Sequence, residues 1–191
     1  MKSEKTFVES GTSLDVPLLI FLEEKMSEVW DLIDKDKNII GITHERNSGK
    51  PIPKGMYHLA VEIWIINMSG KILLTQRHPE KNYGLMWEAT GGAVLSGESS
   101  IEGAVRELYE ETGINAEENE LVYLGHIVKD TYIMDEYMHI IDGDDIELNL
   151  QSEEVVDAMW VSKEELEKKK DLIVGSVWER YCKYKDKITG R

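Results

Sequence analysis

Glu107, Glu110 and Glu111 stand at i, i+3 and i+4, a spacing that gathers three carboxylates within one turn of a helix. Like charges so placed destabilise a helix by about 0.2–0.5 kcal/mol per pair. In the C-terminal half of a helix the macrodipole disfavours them further. A sequence shaped only for stability would carry lysines there. Three glutamates alone are more often an ordinary solvated face, but two observations argue against that here. Carboxylate oxygens grouped on a rigid element are what a hard ion such as Mg²⁺ or Mn²⁺ requires, and such ions are shared with substrate phosphates. Upstream, Gly91 and Gly92 are adjacent, and without Cβ atoms their backbone groups can approach an ion or a phosphate.

These carboxylates need a helix, and the sequence marks both of its ends. Ser99 with Glu102 makes a capping box, which satisfies two orphan N–H groups reciprocally. Ile101, Ala104, Val105 and Leu108 form the apolar stripe at helical spacing. Gly113 stands where a left-handed C-cap belongs. Gly91, Gly92 and Gly97 are expected to break the chain into a loop ahead of this helix. Further upstream, residues 29–34 and 39–42 flank a polar turn and read as a hairpin. Residues 44–56, with Gly49, Pro51, Pro53 and Gly55, read as a loop, as do residues 77–86. Residues 57–66 read as a central strand, with 71–76 as its partner across the turn at 67–70. Downstream, 121–128, 132–141 and 155–160 read as strands. Ser162 with Glu165 makes a second capping box, and short helices over about 162–170 and 171–187 close the chain. Strands interrupted by one helix, with more helix at the end, predict a mixed sheet sandwiched between helices.

The 191-residue length suits one domain with a sizeable core. Residues 1–27 are expected to be an N-terminal extension and 28–191 a single domain. The net charge of −15 repels a phosphate backbone and argues against nucleic-acid binding. It would repel a small phosphorylated substrate too, unless bound cations invert the local field. No apolar run approaches the roughly 20 residues that cross a bilayer. The most apolar stretch, residues 16–22, runs directly into Glu23 and Glu24 and lacks the features of a signal peptide. A cytoplasmic protein with no membrane partner is expected. The single cysteine, Cys182, excludes an intramolecular disulfide and a zinc–thiolate cluster, and reads as packing on a C-terminal helix.

Residues 92–114 resemble the Nudix box, G-x5-E-x7-R-E-U-x-E-E-x-G-U with U aliphatic. Gly92, Glu98, Arg106-Glu107-Leu108, Glu110-Glu111 and Gly113-Ile114 fill every specified position. At background residue usage such a match arises by chance on the order of once in 10⁸–10⁹ positions. The resemblance extends in strand order over roughly 28–165 and implies the Nudix fold, an α/β/α sandwich carrying the loop–helix–loop. It implies hydrolysis of a diphosphate linkage in a nucleoside diphosphate derivative or similar small molecule. The expected cofactor is Mg²⁺ or Mn²⁺, held by Glu107, Glu110, Glu111 and the Gly91 carbonyl. Arg106 is expected to orient nearby carboxylates, with Glu98 and Glu110 as its partners. Two proton acceptors stay open, Glu107 and Glu154. A homodimer is compatible with the family, though no residue demands one.

A second resemblance, over Trp30-Asp31 to Gly41, His44 and Tyr57-His58-Leu59-Ala60-Val61, is to type 1 isopentenyl-diphosphate isomerases and the hydrolases most similar to them. Those isomerases need a catalytic cysteine and a histidine-rich metal site. Aligned on Gly97-Glu98, the cysteine position is Gly91 here and the nearby histidine position is Ala93, so the protonation chemistry lacks its thiol. An isomerase-like enzyme is therefore one alternative; a catalytically silent ligand sensor on the same fold is another. Such sensors usually lose box carboxylates, and none is lost here. His58 and Arg77 are the substrate-binding candidates, and Arg46, Lys50, Lys54 and Lys81 could also grip the non-reacting phosphate. Trp87, just ahead of the glycines, is the tryptophan placed to stack on a base or apolar tail; the others read as core.

Overall fold

The computed structural model describes residues 27–143 and 146–190; the extension at 1–26, with its apolar run, lies outside the described residues. The architecture is built around β3 (Tyr57–Ile66), whose last seven residues are all buried. Its side chains divide by strand alternation. Val61, Ile63 and Ile65 meet Ala104 and Leu108 of α1 (Ser100–Thr112). Trp64 and Ile66 meet Val177 and Tyr181 of α3 (Gly175–Ile188). Each fully buried Leu, Ile or Val contributes about 1.5–3 kcal/mol, so β3 fastens a helix to each face. The expected sandwich follows.

The neighbours of β3 differ in part from expectation. Along one edge it pairs in parallel with β8 (Tyr132–Ile140) over the whole stretch His58–Ile66, and β7 (Leu121–Val128) flanks β8 antiparallel. The other edge is divided three ways. β1 (Val29–Ile33) takes the start, β6 (Thr90–Ala93) the middle, and β4 (Ile72–Arg77) only the final pair, Ile66 with Ile72. The expected hairpin of β3 with β4 therefore closes and at once diverges. β4 runs on between β9 (Val155–Val161) and β5 (Trp87–Glu88). Ile72, Leu73, Leu74 and Thr75 are consecutively buried, as a strand enclosed on both faces must be. β2 (Ile39–Glu45) pairs with β1 as the predicted hairpin.

The second correction concerns the glycines. Gly91 and Gly92 do not lie in a loop; they are the centre of β6, opposite Glu62 and Val61 of β3. A Cβ on Gly91 would stand 2.1 Å from the Val61 carbonyl oxygen, so only glycine admits this pairing. The helix ends stand as predicted. The Ser99 hydroxyl accepts from the Glu102 N–H, the Glu102 carboxylate accepts from the Ser99 N–H at 2.7 Å, and Gly113 is left-handed at φ 75°. The Ser162–Glu165 box opens α2 (Lys163–Lys168) in the same way. No helix among the described residues is long and apolar enough to cross a membrane.

Candidate active site

An open cleft of about 860 Å³ is bordered by α1, β6 and the start of α3. The box glutamates enter it from α1, but they do not share one solvated face as their spacing suggested. Glu110 is exposed, Glu107 is half-buried and Glu111 is 3% exposed. The cause is rotation about the helix axis: Glu111 falls beside the core residues Ala104 and Leu108, where α1 meets the sheet.

Backbone geometry around the two glycines receives these side chains. Gly91 N–H donates to Glu111 Oε2 at 3.1 Å. A Cβ on Gly92 would stand 2.5 Å from the Glu107 carboxyl atoms, so the missing side chain is the notch in which Glu107 sits. Burial pushes Glu107 up to about 6, against the pull of Arg106. Burial also holds Glu111 well above the usual carboxylate range, and the nearby charges of Glu88 and Glu107 push in the same direction. Glu111 forms no salt bridge among the described residues.

Arg106 organises the rest. Its Nε donates to Glu98 Oε1 at 2.7 Å and one terminal nitrogen to Glu98 Oε2 at 3.0 Å; that same nitrogen reaches the Ala93 carbonyl at 2.9 Å. The other terminal nitrogen donates to Glu107 at 2.8 Å and Glu110 at 3.0 Å. The expected partners Glu98 and Glu110 are thus joined by Glu107, which one guanidinium fork can serve together. Partial burial opposes ionisation of Glu98, but Arg106 and the Leu95 N–H outweigh it and keep its carboxyl below the ordinary range.

Among the described residues no three acidic or histidine side chains converge at ligating distance; Arg106 draws Glu107 and Glu110 to itself instead. The donor set nevertheless suits a hard divalent ion. It is all oxygen, it includes a buried carboxylate that forms no salt bridge among the described residues, and it offers the glycine strand at its margin.

The remaining predicted residues fall as follows. Glu154 lies on the cleft wall and pairs with Lys81 at 2.6 Å. Arg77 also lines the cleft, but it is engaged by Glu88 and by the Asn82 carbonyl at 2.7 Å. Arg46 lines it beside Glu28, whereas Lys50 and Lys54 do not border it. His58 reaches the cleft as a ring stacked on Trp30, centroids 4.2 Å apart. Burial pushes His58 down to about 4, so it stands there as a neutral ring. Trp87 is not on the cleft; it packs against the core beneath α3, because β5 turns it to that side. Cys182 is exposed on α3 and away from the cleft.

Sequence reasoning missed several residues. Trp30 replaces Trp87 as the tryptophan of the cleft, through a long-range pairing of β1 with β3. Glu88 is buried next to Arg77 and pushed up by that burial. Glu62, Glu136 and Arg180 form a buried ion triad, with Glu62 accepting from two nitrogens of Arg180 and Glu136 3.1 Å from Arg180 Nε. One signal of the triad was visible: a lone glutamate inside the apolar run Ala60-Val61-Glu62-Ile63-Trp64.

A family model, the NUDIX domain, matches residues 56–178. An uncharacterised Nudix hydrolase of Listeria monocytogenes is 35% identical over 150 residues, covering 73% of this chain and 83% of that protein. An isopentenyl-diphosphate Delta-isomerase of Serratia proteamaculans is 35% identical over 94 residues, 48% of this chain and 51% of that enzyme. The fold is also that of a bifunctional NMN adenylyltransferase/ADP ribose pyrophosphatase of Francisella tularensis, whose structure holds AMP and a Mn ion. The match has a TM-score of 0.59 and 18% identity, over 75% of this chain and 44% of that one.

Proposed function

The chain belongs to the Nudix hydrolase family, and from that premise we propose that it hydrolyses the diphosphate linkage of a nucleoside diphosphate derivative or similar small molecule, using Mg²⁺ or Mn²⁺ at Glu107, Glu110, Glu111 and the Gly91 carbonyl. The observation that carries this reading is Glu111: a fully buried carboxylate, facing two further acids, that forms no salt bridge among the described residues, Lys81 acting on it through its charge while paired with Glu154. Such a group is costly to keep ionised unless a cation from outside completes the site. The Mn ion named with the Francisella structure supports the same class of ion.

Bound ions would offset the substrate's charge and lower the pKa of an attacking water. The chain's own residues do the rest. Glu107, on the cleft side of α1 and held by Arg106, is one acceptor for the water's proton. Glu154 is the second acceptor, also lining the cleft, with Lys81 beside it. Arg106 keeps Glu98, Glu107 and Glu110 in fixed relation. Arg46, Arg77 and Lys81 place positive charge on the cleft wall for the non-reacting phosphate, and the neutral edge of the Trp30–His58 stack borders the group attached to it. Isomerase chemistry is disfavoured because Gly91 occupies the place of the needed thiol, and Cys182 is remote.

The decisive experiment measures phosphate and nucleotide release across nucleotide, nucleotide-sugar, coenzyme A and prenyl diphosphates, with Mg²⁺, Mn²⁺ or EDTA. Turnover of at least one compound that EDTA abolishes is expected. Turnover that persists in EDTA would rule out the ion-dependent mechanism, and isomerisation of isopentenyl diphosphate would favour the alternative chemistry.

A further inference from the structure

β1 and β2 lie outside the family-matched segment 56–178, yet this hairpin grips the catalytic loop and helix at two points. Asp31 accepts with both carboxylate oxygens, from the Ser96 hydroxyl at 2.9 Å and from the Gly97 N–H at 2.8 Å. Beside it, Ser96 N–H donates to the Val29 carbonyl at 2.7 Å. At the second point, Lys37 in the β1–β2 turn pairs with buried Asp135. Asp135 accepts from the Ser100 hydroxyl at 2.6 Å, and Ser100 is the first residue of α1.

Between these two points runs the chain of contacts that sets the carboxylates. Leu95 N–H donates to Glu98 at 2.9 Å, Glu98 holds Arg106, and Arg106 holds Glu107 and Glu110. The loop closes through Leu95 and Glu98, the Glu98 N–H donating back to the Leu95 carbonyl at 3.0 Å, but Ser96 and Gly97 between them are exposed. Gly97 is left-handed at φ 89°, and around its Cβ position there is open space to 4 Å. Glycine keeps the most backbone freedom of any residue, so a loop turning on Gly97 needs an outside anchor. Asp31 provides one, on two consecutive residues and directly before Glu98.

We propose that Asp31 is a positioning residue for the reaction. By fixing Ser96 and Gly97 it fixes Glu98, and through Arg106 the placement of Glu107 and Glu110, so that the N-terminal hairpin is part of the catalytic apparatus. The proposal rests on the reading of those glutamates as ion ligands. Outer groups that orient ligands typically change ion affinity or activity when removed, and this one acts through one more residue than usual.

The test is Mn²⁺ affinity, by calorimetry or the spin resonance of free Mn²⁺, together with kcat and KM on whichever diphosphate the full-length wild type turns over best. Wild type, D31A, D31N and S96A are compared well below every melting temperature. D31A is expected to weaken Mn²⁺ binding and lower kcat, each about fivefold to tenfold, with KM nearly unchanged. S96A, which keeps the hairpin and the Gly97 bond, should lose about twofold to threefold. D31N should recover most of the D31A loss, since its amide oxygen can still accept from Gly97. A D31A variant with lowered melting temperature but wild-type Mn²⁺ affinity and kcat overturns the proposal and leaves Asp31 as a hairpin staple. Should D31A fail to fold, S96A decides, and unchanged Mn²⁺ affinity there overturns it equally. A wild-type chain that neither binds Mn²⁺ nor turns over any diphosphate overturns the hydrolase reading, and this proposal with it.

Discussion

Among the described residues, one group of buried carboxylates lies beside α1 and another beneath α3, and they are treated differently. Beneath α3, Glu62 and Glu136 share Arg180, and the Trp64 indole N–H donates to Glu136 at 3.0 Å. Beside α1, Glu111 receives one backbone N–H and faces Glu88 and Glu107. The first group is neutralised by the protein itself, apart from a carboxyl, that of Glu136, which burial and the adjoining Glu62 hold well above its ordinary range. In the second, Glu88 and Glu107 pair with Arg77 and Arg106, but Glu111 forms no salt bridge among the described residues. If Glu111 binds an ion as proposed, the contrast follows: Glu62 has its own cation, whereas Glu111 is left for a bound ion to neutralise. His58 shows a third solution. Its ring is buried against Trp30, and the charge is removed by keeping the proton off.

The largest expected effect would test the α3 side. R180M removes the cation that Glu62 and Glu136 share and should cost about 3–5 kcal/mol of stability, read from urea unfolding. A loss below about 1 kcal/mol would dissolve the distinction between the two groups.

Next in size is E111Q. It should lower kcat more than about 100-fold, or about 2.7 kcal/mol of barrier, with the fold intact. In EDTA its melting temperature should equal or exceed that of wild type, because the amide replaces a buried acid that is costly to ionise. Near-full activity in a single-species preparation would refute the ion assignment.

The third concerns His58, whose folded value is near 4 against 6.5 for the ordinary imidazole. Above pH 6.5 it is neutral in both states and costs nothing. As pH falls from 6.5 towards 4 the unfolded chain takes up the proton and the folded chain does not, so stability declines by about 2–3 kcal/mol over that window. H58F, which keeps a ring against Trp30, should remove this part of the acid sensitivity in unfolding curves at pH 7 and pH 5. The smallest effect is S99A, which should cost about 1 kcal/mol through the cap alone, with the kcat of folded enzyme unchanged.

How much of this was legible depended on sequence distance. The capping boxes at Ser99 and Ser162 and the left-handed Gly113 involve partners within one helix turn, so residue type and spacing expressed them directly, while the Arg106 clamp on Glu98 and Glu110 followed from the motif resemblance. Glu88, Trp30 and Arg180 reach the cleft or core through pairings of β5 with β4, β1 with β3 and α3 with the sheet, which no local pattern encodes. The role of the glycine pair was half legible. Its need for close approach was visible, but the partners it approaches, the Val61 carbonyl and the Glu107 carboxylate, belong to other elements.

By itself, then, the sequence determined the family, the mixed sheet between helices, and the helix that carries Glu107, Glu110 and Glu111, because these rest on local spacing and on a motif read residue by residue. Tertiary structure alone decided which of those carboxylates is buried, which is clamped and which is exposed. It also decided that a hairpin outside the family-matched segment should hold the loop that leads into their helix. Burial and pairing are set by what packs against a residue, and for Glu111, Glu62 and Asp31 those neighbours arrive from far along the chain.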